Sequence, residues 1–151
     1  MKTSRKSIDR FLAPKKLAIA GVSRDPKKFG YTVFNELRQK GFDVVPVNPN
    51  AEMIDTVPCY KSIESLPEGT DRLLIVTHKR ETDGVLREAV RKGIRNIWIQ
   101  QMSDTQESLE YAAASGLELV SGQCILMWAD PVKSIHRFHR TIKSFFGLLP
   151  K

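Results

Sequence analysis

The sequence lacks several features that would place a protein in a special class. Only two cysteines occur among 151 residues, Cys59 and Cys124, and they form no C-x-x-C pair, so neither a disulfide framework nor a zinc site is expected. No apolar run approaches the roughly 18 residues that cross a membrane. The basic N-terminus is not followed by the long apolar segment of a secretory signal. These absences favour a cytoplasmic globular protein with two reduced thiols.

Positive charge is concentrated at the two ends of the chain. The formal net charge is +7, of which residues 1–16 carry +5, residues 17–131 carry −3 and residues 132–151 carry +5. A nucleic-acid-binding domain usually concentrates its basic residues on one face of its body. We therefore expect no nucleic-acid partner, and we interpret both ends as solvated segments.

Strand-like and helix-like segments alternate along the middle of the chain. Apolar runs predict strands over 17–22, 42–47, 71–77, 94–100 and 117–121. Helical spacing predicts helices over 31–41, 80–93 and 103–116, the last with Ser103 as its N-cap. Strands separated by helices imply right-handed crossovers and a parallel sheet. We predict a three-layer α/β fold with a five-stranded parallel sheet, doubly wound in the order 3-2-1-4-5.

The segments at the two ends differ from this pattern. Residues 1–16 form a basic segment in which a short helix is predicted over 7–13, and the α/β domain is expected to span 17–130. Residues 131–151 predict a basic amphipathic helix. Packing of that helix on the domain is the favoured interpretation. Formation of a homodimer and binding to a membrane or an acidic partner are the alternatives, and we expect no membrane contact.

The loop after the first strand, "GVSRDPKKFG" (21–30), has the composition of a phosphate-binding loop. Gly21 permits a sharp turn, Ser23 offers a hydroxyl, and Arg24 offers a planar fork of donors. Lys28 adds charge, and Gly30 permits close approach before a helix whose first N–H groups can bind an anion. The loop matches neither G-x-G-x-x-G, nor a P-loop, nor a nucleophile elbow. A phosphate cradle and a merely structural turn both fit it.

Two further predicted strand ends meet the same edge of the sheet. The second strand ends in "VVPVNPN", which places Asn48 and Pro49 where many NAD-binding folds carry an acidic residue. Thr77 follows the third strand and is expected to face the same crevice, whereas His78 has no carboxylate partner in any motif. We therefore predict no catalytic residue and no metal ligand.

The joint pattern of these loops resembles a known family. The stretch "IAGVSRDPKKFGYTVFNELRQKGFDVVPVNPN" carries a G-x-S-R-x-P loop, a helix ending at glycine, and then P-V-N-P. It is similar to the stand-alone CoA-binding proteins, which are single Rossmann-like domains related to the CoA-binding domain of the succinyl-CoA synthetase alpha subunit. The resemblance covers roughly residues 8–125.

This resemblance implies a ligand and a set of contacts. It implies that coenzyme A is the cofactor, that Gly21, Ser23 and Arg24 hold its pyrophosphate, and that Asn48 and Pro49 lie near its adenosine. We expect non-catalytic binding of CoA or an acyl-CoA. A domain that binds NAD(P), as a sensor or as part of a reductase, is the alternative. The predicted cofactor-binding residues are Gly21, Ser23, Arg24, Lys28, Gly30, Asn48, Pro49 and Thr77.

Overall fold

The computed structural model describes residues 3–129, which form seven strands and four helices. The strands are β1 (Lys16–Ala20), β2 (Asp43–Val47), β3 (Met53–Ile54), β4 (Val57–Pro58), β5 (Arg72–Ile75), β6 (Asn96–Gln100) and β7 (Glu118–Gln123). The helices are α1 (Arg5–Leu12), α2 (Phe29–Gln39), α3 (Lys79–Lys92) and α4 (Gln106–Ala114), followed by a 3₁₀ turn at Ile125–Met127. The amphipathic helix predicted over 131–151 lies outside the described residues.

The five predicted strands form one parallel sheet, as expected, but their order differs from the prediction. The observed order is β2-β1-β5-β6-β7, which in the numbering of the five predicted strands is 2-1-3-4-5 and not 3-2-1-4-5. Both orders are doubly wound, and both place the first strand beside the point where the chain reverses its direction across the sheet. In the observed order that point lies between β1 and β5.

The edge strand β2 explains the difference in strand order. Pro46 is the fourth of the five residues of β2, and its carbonyl points outward, where it accepts a hydrogen bond from the Tyr60 N–H at 2.9 Å. The nitrogen of the same residue faces the same outer side and carries no hydrogen, so a full strand cannot pair there. The connection that contains the β3–β4 hairpin covers this edge instead. The next long strand, β5, therefore pairs with the free side of β1.

Helices cover both faces of the sheet and bury two apolar layers. On one face, α1, α2 and the 3₁₀ turn pack on β-strand residues that include Ile19 and Trp98. On the other face, α3, α4 and the segment around Ile63 pack on a second layer that includes Ala18 and Ala20. Ala20, the last residue of β1, lines a cleft that opens on that second face between α3 and the segment around Ile63.

The sequence-based helix boundaries were close but not all correct. Helix α4 begins with Thr105 as its N-cap, not with Ser103, because Thr105 and Ser108 form a reciprocal capping box. The Ser103 carbonyl instead accepts a hydrogen bond from the buried Thr82 hydroxyl at 2.8 Å. Helix α1 packs against the sheet, with Ile8 and Phe11 buried in the first apolar layer.

Candidate functional site

A cleft of roughly 540 Å³ opens at the carboxyl ends of β1, β2 and β5. This volume is within the range of small-molecule sites, and the position is where open α/β sheets bind ligands. Three chain segments line it: the β1 loop, the β2 loop with its continuation to Ile63, and the stretch from Thr77 to Glu88. The principal lining residues are Gly21, Val22, Ser23, Asn48, Pro49, Asn50, Lys61, Ser62, Ile63, Thr77, Arg80, Glu81, Gly84, Val85 and Glu88.

Two glycines bring the backbone of three elements together at the mouth of the cleft. Gly21 has φ = +95°, and a Cβ there would lie 2.8 Å from the backbone nitrogen of Thr77, at the end of β5. Gly30 is in the first turn of α2, where a Cβ would lie 2.1 Å from the Gly21 carbonyl oxygen. Because neither position has room for a side chain, the first turn of α2 lies directly against the β1 loop.

The loop between these glycines is folded by its own polar groups. The Ser23 hydroxyl accepts a hydrogen bond from the Asp25 N–H at 3.0 Å, and the Asp25 carboxylate accepts one from the Lys27 N–H at 2.9 Å. Lys28 is the N-cap residue of α2, and its side chain does not cap the helix. The first N–H groups of α2 therefore receive no cap from that side chain and form a partial positive charge beside the loop.

Asn48 links the loop after β2 to the loop after β1. Its side-chain NH₂ group donates to the Val22 carbonyl at 2.8 Å, and its side-chain oxygen accepts from the Asn50 N–H at 2.8 Å. Both bonds are short, and together they orient the amide uniquely. Asn48 thus holds two walls of the cleft at a fixed separation.

The Thr77 hydroxyl, just beyond the end of β5, is oriented to accept a hydrogen bond. Its hydroxyl lies 3.0 Å from the Thr82 hydroxyl, which donates its proton to the Ser103 carbonyl. Because Thr82 has a single hydroxyl proton, Thr77 donates to Thr82 and keeps lone pairs for another donor.

A second depression adjoins the cleft on the side of the β3–β4 hairpin. Arg24 lines this depression and not the main cleft, whereas Pro49, Asn50 and Lys61 line both. Arg24 is exposed and forms no ion pair within residues 3–129. Its guanidinium is therefore available to a ligand that extends out of the cleft.

The hairpin that forms the outer wall of this depression is attached to α2. The Tyr31 hydroxyl donates to the Asp55 carboxylate at 3.0 Å, and Arg38 lies 3.8 Å from the same carboxylate. This hydrogen bond raises the pKa of Tyr31 above its ordinary value. The hairpin tip is thereby fixed beside the β1 loop, which precedes α2.

The structure brings most of the predicted binding residues together. Five of them, Gly21, Ser23, Asn48, Pro49 and Thr77, line the cleft. Arg24 lies on the adjoining depression, as described above. Lys28 is exposed at the start of α2, and Gly30 is buried beneath the loop. Direct contact of a ligand with any of these eight residues stays a prediction.

Other polar or reactive side chains near the strand ends have structural roles or lie outside the cleft. Gln100 is buried and accepts a hydrogen bond from the Ile125 N–H, so it fixes the 3₁₀ turn and does not reach the cleft. His78 is the exposed N-cap residue of α3 and does not line the cleft. The Cys59 thiol lies 3.9 Å from the Asn48 carbonyl oxygen, and burial raises the pKa of this thiol. Cys59 and Cys124 are both free.

Sequence reasoning missed the wall that α3 contributes. Gly84, Val85 and Glu88 share one face of α3, and Ser62 and Ile63 lie in the connection after the hairpin. The apolar spacing of α3 concealed this wall, because a helix that packs on a sheet shows the same pattern. The only sequence feature that pointed to this wall was Gly84, because glycine is unfavourable in the middle of a helix.

Two other kinds of site are absent from residues 3–129. No group of three or more histidine, cysteine, aspartate or glutamate side chains is placed there to hold a metal ion. None of the helices in this part of the chain is long and apolar enough to cross a membrane.

Comparison with known families identifies the family of the α/β domain. Residues 15–130 match the family described as the CoA binding domain. The chain belongs to this family. The match includes every strand of the parallel sheet, the whole cleft and helices α2 to α4.

The curated relatives include much longer enzymes. The alpha subunit of an ADP-forming acetate–CoA ligase II from Pyrococcus furiosus is 31% identical over 129 residues, which cover 78% of this chain and 28% of that subunit. The chain therefore spans less than a third of that relative's length.

Solved structures of similar size share the fold. A conserved hypothetical protein from Pyrococcus furiosus is 34% identical, with a TM-score of 0.71 over 73% of this chain and 95% of its own. A hypothetical protein from Pyrococcus horikoshii is 27% identical, with a TM-score of 0.73 over 83% of this chain and 94% of its own. The Rossmann-like fold expected from the sequence is therefore confirmed.

The contact between Gly30 and the β1 loop is testable by adding a single methyl group. In Gly30→Ala the new Cβ clashes with the Gly21 carbonyl, so α2 must shift. We therefore expect the free energy of unfolding to fall by about 1–3 kcal/mol. Gly84→Ala is the matched control, because its Cβ meets no atom within 4 Å and alanine favours a helix. Urea denaturation measures the free energy of unfolding of both variants. Equal stability of the two variants would contradict a tight contact at Gly30.

The link made by Asn48 is testable with an isosteric change. Asn48→Asp replaces the donor that faces the Val22 carbonyl by an oxygen, and we expect a loss of about 1–3 kcal/mol in the free energy of unfolding. Asn50→Ala is the control, since it removes a neighbouring amide without removing that donor. The loss should diminish at low pH, where the introduced carboxyl group is protonated and can donate again. A loss independent of pH would count against the link.

Proposed function

We propose that the protein binds coenzyme A or an acyl-CoA in this cleft, through the loops after β1 and β2, without catalysing a reaction itself. The observation that carries the proposal is the cleft itself. It lies at the switch point of a sheet that belongs to the CoA binding domain family, and five residues predicted from the sequence line it.

The β1 loop is suited to the pyrophosphate of the ligand. The Ser23 hydroxyl and the uncapped start of α2 provide neutral donors at one place. Arg24 and Lys28 add positive charge that is free to move toward a phosphate, because both side chains are exposed. Glycines keep this surface free of side chains, so an anion can approach the backbone closely.

The β2 loop is suited to the adenosine end of the ligand. Asn48 and Pro49 form a stiff wall, because the asparagine is hydrogen-bonded on both sides and the proline has a fixed φ. No carboxylate follows β2 at the position where many NAD-binding folds hold the ribose hydroxyls. Lys61 lines both depressions, and its ammonium group lies 3.9 Å from the exposed Glu52 carboxylate, so it can turn from this exposed pair toward a phosphorylated ribose.

The groups that line the cleft favour binding over chemistry. They are backbone amides, hydroxyls, carboxamides and charged side chains, and the lining includes neither histidine nor cysteine. Covalent catalysis requires a nucleophile activated by a neighbouring base, and this lining offers no such pair. The proposal therefore assigns the described domain a carrier or sensor role.

Calorimetric titration tests the proposed ligand directly. We expect CoA to bind with one site per chain, and NADH to bind far more weakly. Dephospho-CoA separates the contribution of the 3′-phosphate from that of the rest of the ligand. Absence of heat with millimolar CoA, in protein shown to be folded by circular dichroism, would refute the proposal. Preferential binding of NADH would support the NAD(P) alternative instead.

Arg24 tests the assignment of the phosphate end. We expect Arg24→Ala to weaken CoA binding by about 1–3 kcal/mol, because a charge-assisted hydrogen bond to phosphate is lost. Arg95→Ala is the matched control: it removes the same charge from an exposed site that precedes β6, at the other end of the sheet. Equal CoA affinity in these two variants would show that Arg24 contributes only through the overall charge of the protein.

A further inference from the structure

Met102 is the most exposed of the large apolar side chains in residues 3–129. It is 77% exposed, whereas Phe29 is 48% exposed and Met53 is 45% exposed. It follows β6 at the carboxyl edge of the sheet, which is the edge where the cleft opens. It belongs to neither of the two apolar layers that flank the sheet. The core of the domain therefore gains almost nothing from this methionine.

The backbone at Met102 has a conformation that is unfavourable for methionine. Its φ is +72°, in the left-handed region. The Ser103 N–H donates to the Gln100 carbonyl at 2.9 Å, which closes a four-residue turn with Met102 at the third position. A turn with positive φ at that position ordinarily has glycine or asparagine there. Methionine thus destabilises the turn, and its exposed side chain offers no packing in compensation.

Hydrogen bonds connect this turn to the cleft. The Ser103 carbonyl accepts a hydrogen bond from the Thr82 hydroxyl at 2.8 Å. The Thr82 hydroxyl lies 3.0 Å from the hydroxyl of Thr77, which lines the cleft. Ser103 and Thr82 are both buried, so the turn is held firmly. Met102 therefore lies just beyond the cleft, next to the side that the end of β5 forms.

The proposed orientation of CoA directs its thiol end toward Met102. Adenosine is assigned to the β2 loop and the pyrophosphate to the β1 loop, and β5 and β6 follow on the other side of β1. A ligand that continues in this direction passes Thr77 and reaches the end of β6, two strand spacings or about 10 Å from β1. An extended pantetheine arm is longer than this distance. Its sulfur, and an acyl group bound to it, then reach the turn that contains Met102.

On the basis of the CoA site proposed above, we propose that the ligand is an acyl-CoA with an apolar acyl chain and that Met102 binds this chain. The thioether side chain is unbranched and polarisable, so it adapts to an apolar partner of variable length. Contact with the acyl chain removes apolar surface of both groups from water. This contact also explains why an exposed methionine occupies a position of the turn that suits glycine. Met102 thereby sets the preference for the acyl group, and the β1 and β2 loops bind the part that all CoA esters share.

Calorimetric titration with CoA, acetyl-CoA, butyryl-CoA and hexanoyl-CoA tests this preference. We expect affinity to rise with chain length and hexanoyl-CoA to bind about tenfold more tightly than CoA, as roughly half-burial of each methylene implies. In Met102→Ser this affinity ratio should fall toward one. Met53→Ser is the matched control and should keep the ratio, because it removes an exposed methionine from β3, on the β2 side of the cleft.

A second variant separates binding of the acyl chain from folding. Glycine suits a positive φ, so Met102→Gly should unfold at the same temperature as the wild type or a few degrees higher. Its affinity ratio of hexanoyl-CoA to CoA should nevertheless fall toward one, as in Met102→Ser. A fall in the ratio that occurs only together with a lower unfolding temperature would show a structural role and would overturn the inference.

The outcomes also separate this inference from the proposed function. Equal affinity of the wild type for CoA and hexanoyl-CoA, or an unchanged ratio in Met102→Ser, would overturn the acyl-chain contact and leave the CoA site standing. An equal fall of the ratio in Met53→Ser and Met102→Ser would overturn the assignment to Met102. A folded wild type that binds none of these ligands would overturn both proposals.

Discussion

The cleft depends on a backbone contact that only glycine allows. Gly30, in the first turn of α2, lies against the carbonyl of Gly21, and Gly21 in turn lies against the end of β5 at Thr77. These contacts set how far α2 and β5 stand from the β1 loop. A single Cβ at either position would separate elements that otherwise meet, so the start of α2 would no longer lie beside the loop and the cleft.

Local features of the sequence predicted the elements, and tertiary contacts decided their arrangement. Continuous apolar runs predicted every strand of the parallel sheet, because strands buried on both faces show little alternation. The strand order was wrong because it depends on which side of β1 receives β5. That choice follows from the outward-facing nitrogen of Pro46, and the direction of a peptide group is not visible until the strand register is known.

The candidate site was predictable where its residues depart from ordinary packing patterns. The β1 and β2 loops contain glycine, proline and asparagine in combinations that a simple turn does not need, and five residues predicted there or after β5 line the cleft. The α3 wall was not predicted, since Val85 fits equally well as a core residue and Glu88 as a solvated one. Only Gly84 departed from expectation, because helix interiors disfavour glycine.

Both signs of charge surround the cleft and the adjoining depression. Arg24, Lys28 and Lys61 are exposed around the β1 and β2 loops, where Glu52 lies 3.9 Å from Lys61, and α3 carries Arg80 together with Glu81 and Glu88. In the proposed function, the exposed basic side chains of the two loops attract the phosphates of CoA. The rigid parts of the site, Asn48 and the two glycines, fix its shape. The long, exposed basic side chains attract the phosphates without fixing that shape, so shape and charge are set by different residues.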